Sequence, residues 1–591
     1  MTSPSEFDIL NSPLEGRNLI EASAGTGKTH AISRIFLRLL LEKPIELNKI
    51  LAVTFTEAAT EELRRRIRLI IVEAKQAFET GKTEDPLLAG LLARCDTTQA
   101  IDRLHFALRD FDTVAVFTVH GFCSRVLYDN AFECNQTFDA EVITDQADLF
   151  QEVVDDFWRR HFLQASPLFV AYALESKITP ASMLYSLKPF CGRQLPRIEP
   201  VLTSTETVTL ERAFYDAFKE LGEAWNAAGS EVESLLRSPH LDGRKYRSGL
   251  VSALVIELAG FLKSSAPSPL LFENFEKLTR SYIAASARKD QAPIAHSFFD
   301  LCESLKSRAD ALCAAYANNV LFLKSLFLTD SARELAERKD RRNVLYFDDL
   351  LSRVDKALRN NGNQNRLADV LRKKYQAGLI DEFQDIDPVQ YAIFSAIFPA
   401  GSLLFIIGDP KQAIYSFRGA DIFAYLNASK NVDRTYTLST NHRSAPALVS
   451  AINSLFGNRP DPFVFKEITY KRVSARLARP GLALAVGKSP FTLWMLSREG
   501  GDGVREPISK TAAAPKIARG VANEISLLIG QEKIAPSHIA VAVRTNKEAQ
   551  LVHDTLVATN IPAIIESAGS VFGAAKAVDM YRLLLAIQRF L

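Results

Sequence analysis

Cysteine is scarce and dispersed in this 591-residue chain: six residues, at positions 95, 123, 134, 191, 302 and 313, with no Cys-x-x-Cys. That spacing excludes a zinc ribbon or a disulfide framework and points to a reducing compartment, the cytoplasm. No stretch approaches eighteen uncharged apolar residues, so neither a membrane span nor a membrane partner is expected. The opening Met1-Thr2-Ser3-Pro4-Ser5-Glu6-Phe7 has neither the basic nor the apolar region of a signal peptide. Excess charge of one sign is also missing. With 71 Lys+Arg against 69 Asp+Glu the formal net charge is +2, so any nucleic-acid contact must come from a local patch. Internal repeats and low-complexity tracts are absent.

What is present is an ordinary globular composition, 47% hydrophobic and 24% charged, on a chain too long for one core. Strand and helix patterns alternate at the start, with strands expected at 18–21, 50–54 and 114–118 and helices from Lys28 and Glu57. A second βα series follows at 378–381, 403–408 and 434–437. Such alternation means a parallel sheet covered on both faces. Between the two series, apolar residues recur at helical spacing, as in Leu149, Val153, Phe157, Trp158 and Phe162. The expected organisation is α/β: a first parallel-sheet domain in two parts, 1–144 and 341–440, split by an all-helical insertion at 145–340. A second, incomplete α/β unit then occupies 441–591. In it, helices are expected at 444–456, 517–529, 547–557 and 574–591, strands at 491–495, 538–543 and 561–566, and a linker at 499–515.

The first chemistry-bearing segment is Glu21-Ala22-Ser23-Ala24-Gly25-Thr26-Gly27-Lys28-Thr29, directly after an apolar run. Strand, glycine-rich turn and helix start build a phosphate cradle, because backbone N–H groups and the helix dipole converge on an anion. Lys28 can reach β- and γ-phosphates and Thr29 can offer its hydroxyl to Mg²⁺. A bare Gly-Thr-Gly would be only a tight turn; Gly-Lys-Thr after a strand and before an apolar helix is a nucleotide site. The usual spacing would put glycine where Ala22 stands.

The second is Leu379-Ile380-Asp381-Glu382-Phe383-Gln384-Asp385. Carboxylates after a strand also suit a helix N-terminus, but paired with the glycine-rich turn they supply a metal ligand, Asp381, and a general base for water, Glu382. Phe55, Tyr415 and Phe417 could be ordinary core aromatics. Each follows an expected strand, however, at the edge where open α/β sheets bind ligands, and aromatics there suit the stacking of single-strand bases.

The set Ile20–Thr29, Val53–Thr60, Phe117–Cys123, Phe347–Leu350, Ile380–Asp385, Gly408–Tyr415 and Ile539–Arg544 resembles the superfamily 1 DNA helicases of the UvrD type, and among them the RecB-like subfamily (exodeoxyribonuclease V beta subunits). Alanine is common in that family at the place of Ala22. The resemblance implies ATP and Mg²⁺ as cofactors and 3′-to-5′ movement on DNA. It also implies RecC-like and RecD-like partner subunits acting at double-strand ends, in break repair and recombination. It implies an ATP site formed by Ala22, Ser23, Ala24, Gly25, Thr26, Gly27, Lys28 and Thr29, with His442 where an aromatic stacks on adenine. Thr29 and Asp381 would hold the metal. Asp381, Glu382, Gln412 and Arg443 would be the catalytic set, Gln412 sensing the γ-phosphate and Arg443 reaching it from the second motor domain. Read alone, Arg443 would be a surface ion-pair residue and His442 a capped surface histidine. Phe55, Thr56, His120, Tyr415 and Phe417 match the single-strand track. Arg64, Arg65, Arg66 and Arg68 read as a solvated basic face with one or two phosphate contacts.

Two departures bound the expectation. Helicases of this type usually read adenine through a glutamine ahead of the glycine-rich loop, whereas the first glutamine here is Gln76. Nucleotide preference is therefore open. The family also continues beyond Leu591 with further helicase motifs and, in RecB-like chains, a nuclease domain, of which no Asp/Glu/Lys cluster appears here. The expectation is a chain truncated before these parts, which binds nucleotide and hydrolyses it poorly alone. The competing reading is a nucleotide- and DNA-binding scaffold subunit with little ATPase activity of its own.

Overall fold

The computed structural model describes residues 5–134, 140–143, 145–187, 198–265, 267–288, 291–359, 366–416, 419–476, 489–496, 507–566, 572 and 574–590. Eleven strands occur among them: β1 (Ser5–Glu6), β2 (Arg17–Ala22), β3 (Ile50–Thr54), β4 (Val116–Thr118), β5 (Glu141–Val142), β6 (Val344–Leu345), β7 (Ala377–Ile380), β8 (Leu403–Gly408), β9 (Arg434–Leu438), β10 (Thr440–Asn441) and β11 (Ser474–Ala475). By compactness the chain divides into two units. One holds Met1–Ala22 and Lys28–Thr437; the other holds Ser23–Gly27 and Leu438–Leu591.

The first unit contains a seven-stranded sheet in the order β1-β9-β2-β8-β7-β3-β4. The ladders β1–β9, β2–β8, β8–β7, β7–β3 and β3–β4 are all parallel. Parallel strands are covered on both faces and so are written as apolar runs; every residue of β3 and β7 is buried. All six strands expected in this part form, with bounds shifted by at most two residues. Because the ladders are parallel and in register, Glu21 opposite Gly408, Ile380 opposite Ile406 and Thr54 opposite Thr118, the strands end along one edge.

Helices leave that edge at once. Thr56 caps Glu57–Thr80 by accepting from the N–H of Ala59, and Thr118 caps Val119–Asp129 by accepting from that of Gly121. Asp387 and Gln390 form a reciprocal capping box on Pro388–Ile397. Gly81, at φ +68°, ends the helix Glu57–Thr80 in the left-handed region.

The described residues between 147 and 342 are helical apart from their connections and share their own core. Leu149, Val153, Phe157 and Phe162 are buried, and Trp158 stacks on Phe162 at 4.0 Å. The 46-residue helix Ser297–Arg342 runs through this core, burying Phe298, Cys302, Leu305, Ala309, Leu312, Tyr316, Val320 and Phe327 at helical spacing. It is the one described helix long and apolar enough to cross a membrane, by length and composition; its buried residues belong to the core of this region. Where the chain enters and leaves this region, β5 and β6 pair in parallel, a closure that the sequence pattern does not announce.

In the second unit β10 and β11 pair in parallel. The helices Pro446–Gly457, Lys510–Gly530, Asn546–Ala558 and Ala575–Phe590 follow, and a small core gathers Ala522, Ile525, Leu556 and Ile561. The strands expected at 491–495, 538–543 and 561–566 are not formed. A strand exists only as part of a ladder, and these segments have none; Leu493, Met495, Val541, Val543 and Ile564 stay exposed. The expected linker is also shorter. Ala512–Pro515 belongs to the helix Lys510–Gly530, since Ser509 caps it and alanine favours helix; residues 497–506 lie outside the described residues.

Candidate active site

β2 ends at Ala22 and the next helix starts at Lys28, so five residues make the turn. Gly25 and Gly27 take φ values of +78° and +88°, a region that side chains disfavour. Thr26 donates from both its N–H and its hydroxyl to the carbonyl of Ser23, which closes the loop on itself. This loop groups with the second unit because Asn441 Nδ2 donates to the Ala24 carbonyl at 2.9 Å and the His442 N–H donates to that of Gly25 at 2.8 Å. Asn441 Oδ1 meanwhile accepts from the N–H groups of Arg443 and Ser444. A Cβ on Gly25 would stand 2.9 Å from both Arg443 Cβ and Asn441 Nδ2. His442 and Arg443 themselves are exposed.

In the first unit Lys28 Nζ meets Glu382 Oε2 at 2.5 Å. Asp381 ends the β7 ladder through its N–H to the Val53 carbonyl and is buried. Burial pushes its carboxyl up to about 7; Glu382 adds to the shift, while Lys28 and the Glu382 N–H oppose it. Asp385 is pushed up to about 6, by burial first and Glu382 second, with Lys28 and the hydrogen bond from Gln384 opposing the shift, and its buried Oδ1 has no hydrogen-bond partner among the described residues. These are carboxylates short of positive charge. Thr29 sits one residue after Lys28, on the helix that starts at the end of β2. No cluster of three or more His, Cys, Asp or Glu able to cage a metal occurs among the described residues. The buried carboxylate of Asp381 and the hydroxyl of Thr29 beside a helix N-terminus fit Mg²⁺ held jointly with phosphate, the manner in which that ion is usually bound.

Beyond β8, Asp409 is 2% exposed and accepts from Gln412 Nε2 at 2.6 Å and from Lys411 Nζ at 2.6 Å. Gln384 lies between the two carboxylate groups. Its Nε2 donates to Glu382 Oε2 at 2.8 Å, and its Oε1 accepts the Asp409 N–H at 2.9 Å.

Of the residues read as a single-strand track, Phe55 and Tyr415 come together, with ring centroids 5.3 Å apart and planes at 26°. Thr56 is exposed and spends its hydroxyl on the helix cap. His120 is half-buried, edge-on to Phe347 at 6.0 Å; burial lowers its pKa, and Asp348 and Asp387 partly restore it. Phe417 lies outside the described residues. On the basic helix, Arg64 pairs with Glu61 and donates to the Val116 carbonyl, and Arg65 and Arg66 share Glu62. Gln384, Asp409, Asn441 and Phe347 were not expected as site residues. Gln384, Asp409 and Phe347 lie within motifs already singled out and Asn441 directly precedes His442, so neighbourhood in sequence was the available signal.

Residues 3–433 match the family described as the UvrD/REP helicase N-terminal domain. Among curated proteins, the chain is 34% identical to the RecBCD enzyme subunit RecB of Escherichia coli K12, over 98% of this chain and 50% of that protein. It is 29% identical to the same-named subunit of Haemophilus influenzae, over 98% of this chain and 52% of that protein. For Mycobacterium tuberculosis H37Rv the figures are 29%, 98% and 43%. The chain thus spans about half the length of the curated relatives it matches. The family match extends over well more than half of the chain, and its residues include the glycine-rich turn, the Asp-Glu pair and the Gln412 segment: the chain belongs to the UvrD/REP helicase family.

Proposed function

We propose that the chain is the helicase portion of an ATP-dependent DNA translocase subunit. It works in a RecBCD-type (exodeoxyribonuclease V) enzyme with RecC-like and RecD-like partners, at double-strand ends in break repair and recombination. The observation that carries the reading is the meeting of Lys28 with Glu382 beside the buried Asp381. A lysine at the helix start and two carboxylates after β7 are the parts phosphoryl transfer to water requires.

Lys28 binds the β- and γ-phosphates, and the loop Ala22–Gly27 wraps them with backbone N–H groups. Thr29 and Asp381 are the protein ligands of Mg²⁺, which supplies charge neutralisation on those phosphates. Glu382 orients the attacking water and accepts its proton. Gln412 and Arg443 respond to the γ-phosphate, and His442 stacks on the base. Phe55 and Tyr415, with Thr56, His120 and Phe417, hold the single strand by stacking and polar contact. Residues 1–144 and 341–440 act as the first motor, 145–340 as its insertion, and 441–591 as part of the second.

Titration with a fluorescent ATP analogue and Mg²⁺, with and without oligo-dT, tests the nucleotide site. Strand displacement with and without RecC- and RecD-type subunits tests the motor. The reading expects saturable Mg²⁺-dependent binding, weakened in Lys28→Ala, and displacement that requires ATP. Equal binding by wild type and Lys28→Ala contradicts it.

A further inference from the structure

We propose that Gln384 is the positioning residue for Glu382, and that through Asp409 it ties this carboxylate to Gln412. The inference rests on the nucleotide-site reading above and deepens it.

Glu382 needs such a support. Its backbone is left-handed, at φ +49° and ψ +43°, two residues past the end of β7 and at the head of one 3₁₀ turn, Phe383–Asp385, whose backbone makes no bond to its side chain. Among the described residues two side chains bond to its carboxylate, Lys28 and Gln384. Lys28 is the residue that turns to phosphate when nucleotide binds. Gln384 is then the tether that remains.

Glutamine suits the place because it is neutral and carries a donor and an acceptor on one planar group. The orientation of its amide is dictated by its surroundings. Nε2 faces Glu382 Oε2 at 2.8 Å and Asp385 Oδ2 at 3.3 Å, while Oε1 faces the Asp409 N–H at 2.9 Å. Flipping the amide would set acceptor against acceptor and donor against donor. Gln384 is 2% exposed, so its bonds have no water to replace them. The last residue of β8 is shaped to it: a Cβ on Gly408 would stand 2.8 Å from Gln384 Oε1. Asp409 carries the connection onward, its Oδ2 accepting from Gln412 Nε2 at 2.6 Å. Lys28, Glu382, Gln384, Asp409 and Gln412 thus form one continuous polar chain between the phosphate-binding lysine and the segment that leads to Tyr415.

The test uses the 591-residue chain with Mg·ATPγS for binding and ATP for single-turnover hydrolysis. Gln384→Met keeps length and removes all three bonds; Gly408→Ala crowds the Gln384 oxygen and leaves the glutamine in place. In both variants we expect affinity for Mg·ATPγS and half-saturating ATP within about threefold of wild type. The maximal single-turnover rate falls between about 10- and 100-fold, the scale of a misplaced catalytic group. Nucleotide also changes amide hydrogen exchange across 409–416 in wild type, and that response is lost in Gln384→Met. A Gln384→Met protein with wild-type rate and wild-type exchange response overturns the tether while the nucleotide site stands. Wild-type chain that fails to bind Mg·ATPγS overturns the nucleotide reading, and the tether with it.

Discussion

Lys28 Nζ and Glu382 Oε2 lie 2.5 Å apart, which joins the start of the helix after β2 to the carboxylate after β7. Lys28 is 13% exposed and Glu382 32%, and the Lys28 charge also acts on the carboxyls of Asp381 and Asp385, where it opposes their upward shifts. Lys28→Ala leaves those charges uncompensated and should cost about 1–3 kcal/mol in the nucleotide-free protein, less than a fully buried pair because Glu382 is partly solvated. Lys28→Ala/Glu382→Gln should recover part of that loss. Urea denaturation of the two single variants and the double variant measures this, and strictly additive losses would argue against the coupling.

The raised carboxyls give the nucleotide-free protein a pH signature. A carboxyl whose folded pKa is about 7, against an ordinary 3.8, takes up a proton on folding. Its contribution to stability is therefore fully present below about pH 4 and is lost as pH rises through about 7. Between pH 5 and pH 8, in chelator, the slope of unfolding midpoint against pH should be more positive in Asp381→Asn than in wild type. Binding of Mg·ATP should release protons and tighten with rising pH over the same window. An identical pH dependence in wild type and Asp381→Asn would contradict the assignment.

Gly25 and Gly81 both sit at positive φ but in different surroundings. A Cβ on Gly25 meets Asn441 and Arg443 at 2.9 Å, whereas a Cβ on Gly81 meets nothing within 4 Å. Each Gly→Ala change carries the backbone cost of about 1–2 kcal/mol. Only Gly25→Ala should also lower nucleotide affinity, by about tenfold or more, a loss of about 1.4 kcal/mol. Comparing affinity with unfolding midpoint in the two variants separates the effects.

Phe55 and Tyr415 touch each other, so their contributions to single-strand binding should not add. Each alanine substitution should weaken oligo-dT binding by about 1–3 kcal/mol, with the double variant falling short of the sum. Fluorescence anisotropy at two salt concentrations checks this, since loss of a stack should leave the salt slope unchanged.

Much of the first unit was legible because apolar runs such as Ile50–Thr54 and Leu403–Gly408 code directly for buried parallel strands. Asp381 and Glu382 were legible because they follow such a run. The second unit was less so. Ile561–Glu566 carries strand-like residues, yet pairing is a property of neighbours rather than of the segment, and no ladder forms there. β5 and β6, two residues each, are too short to show a period. Asn441 and Gln384 each bond near neighbours but also a partner distant in sequence, Ala24 at 417 positions and Asp409 at 25. A lone polar residue does not reveal such a partner in advance.

The central claim is that Lys28, Thr29 and Asp381 form one Mg²⁺-dependent nucleotide site. Its most direct test is equilibrium titration of the chain with a fluorescent ATP analogue in Mg²⁺ and in chelator, on wild type, Lys28→Ala and Asp381→Asn. We expect saturable binding by wild type that chelator weakens, a loss of about tenfold or more in Lys28→Ala, and a greatly reduced chelator effect in Asp381→Asn. Binding unchanged in Lys28→Ala, or as sensitive to chelator in Asp381→Asn as in wild type, would contradict the account.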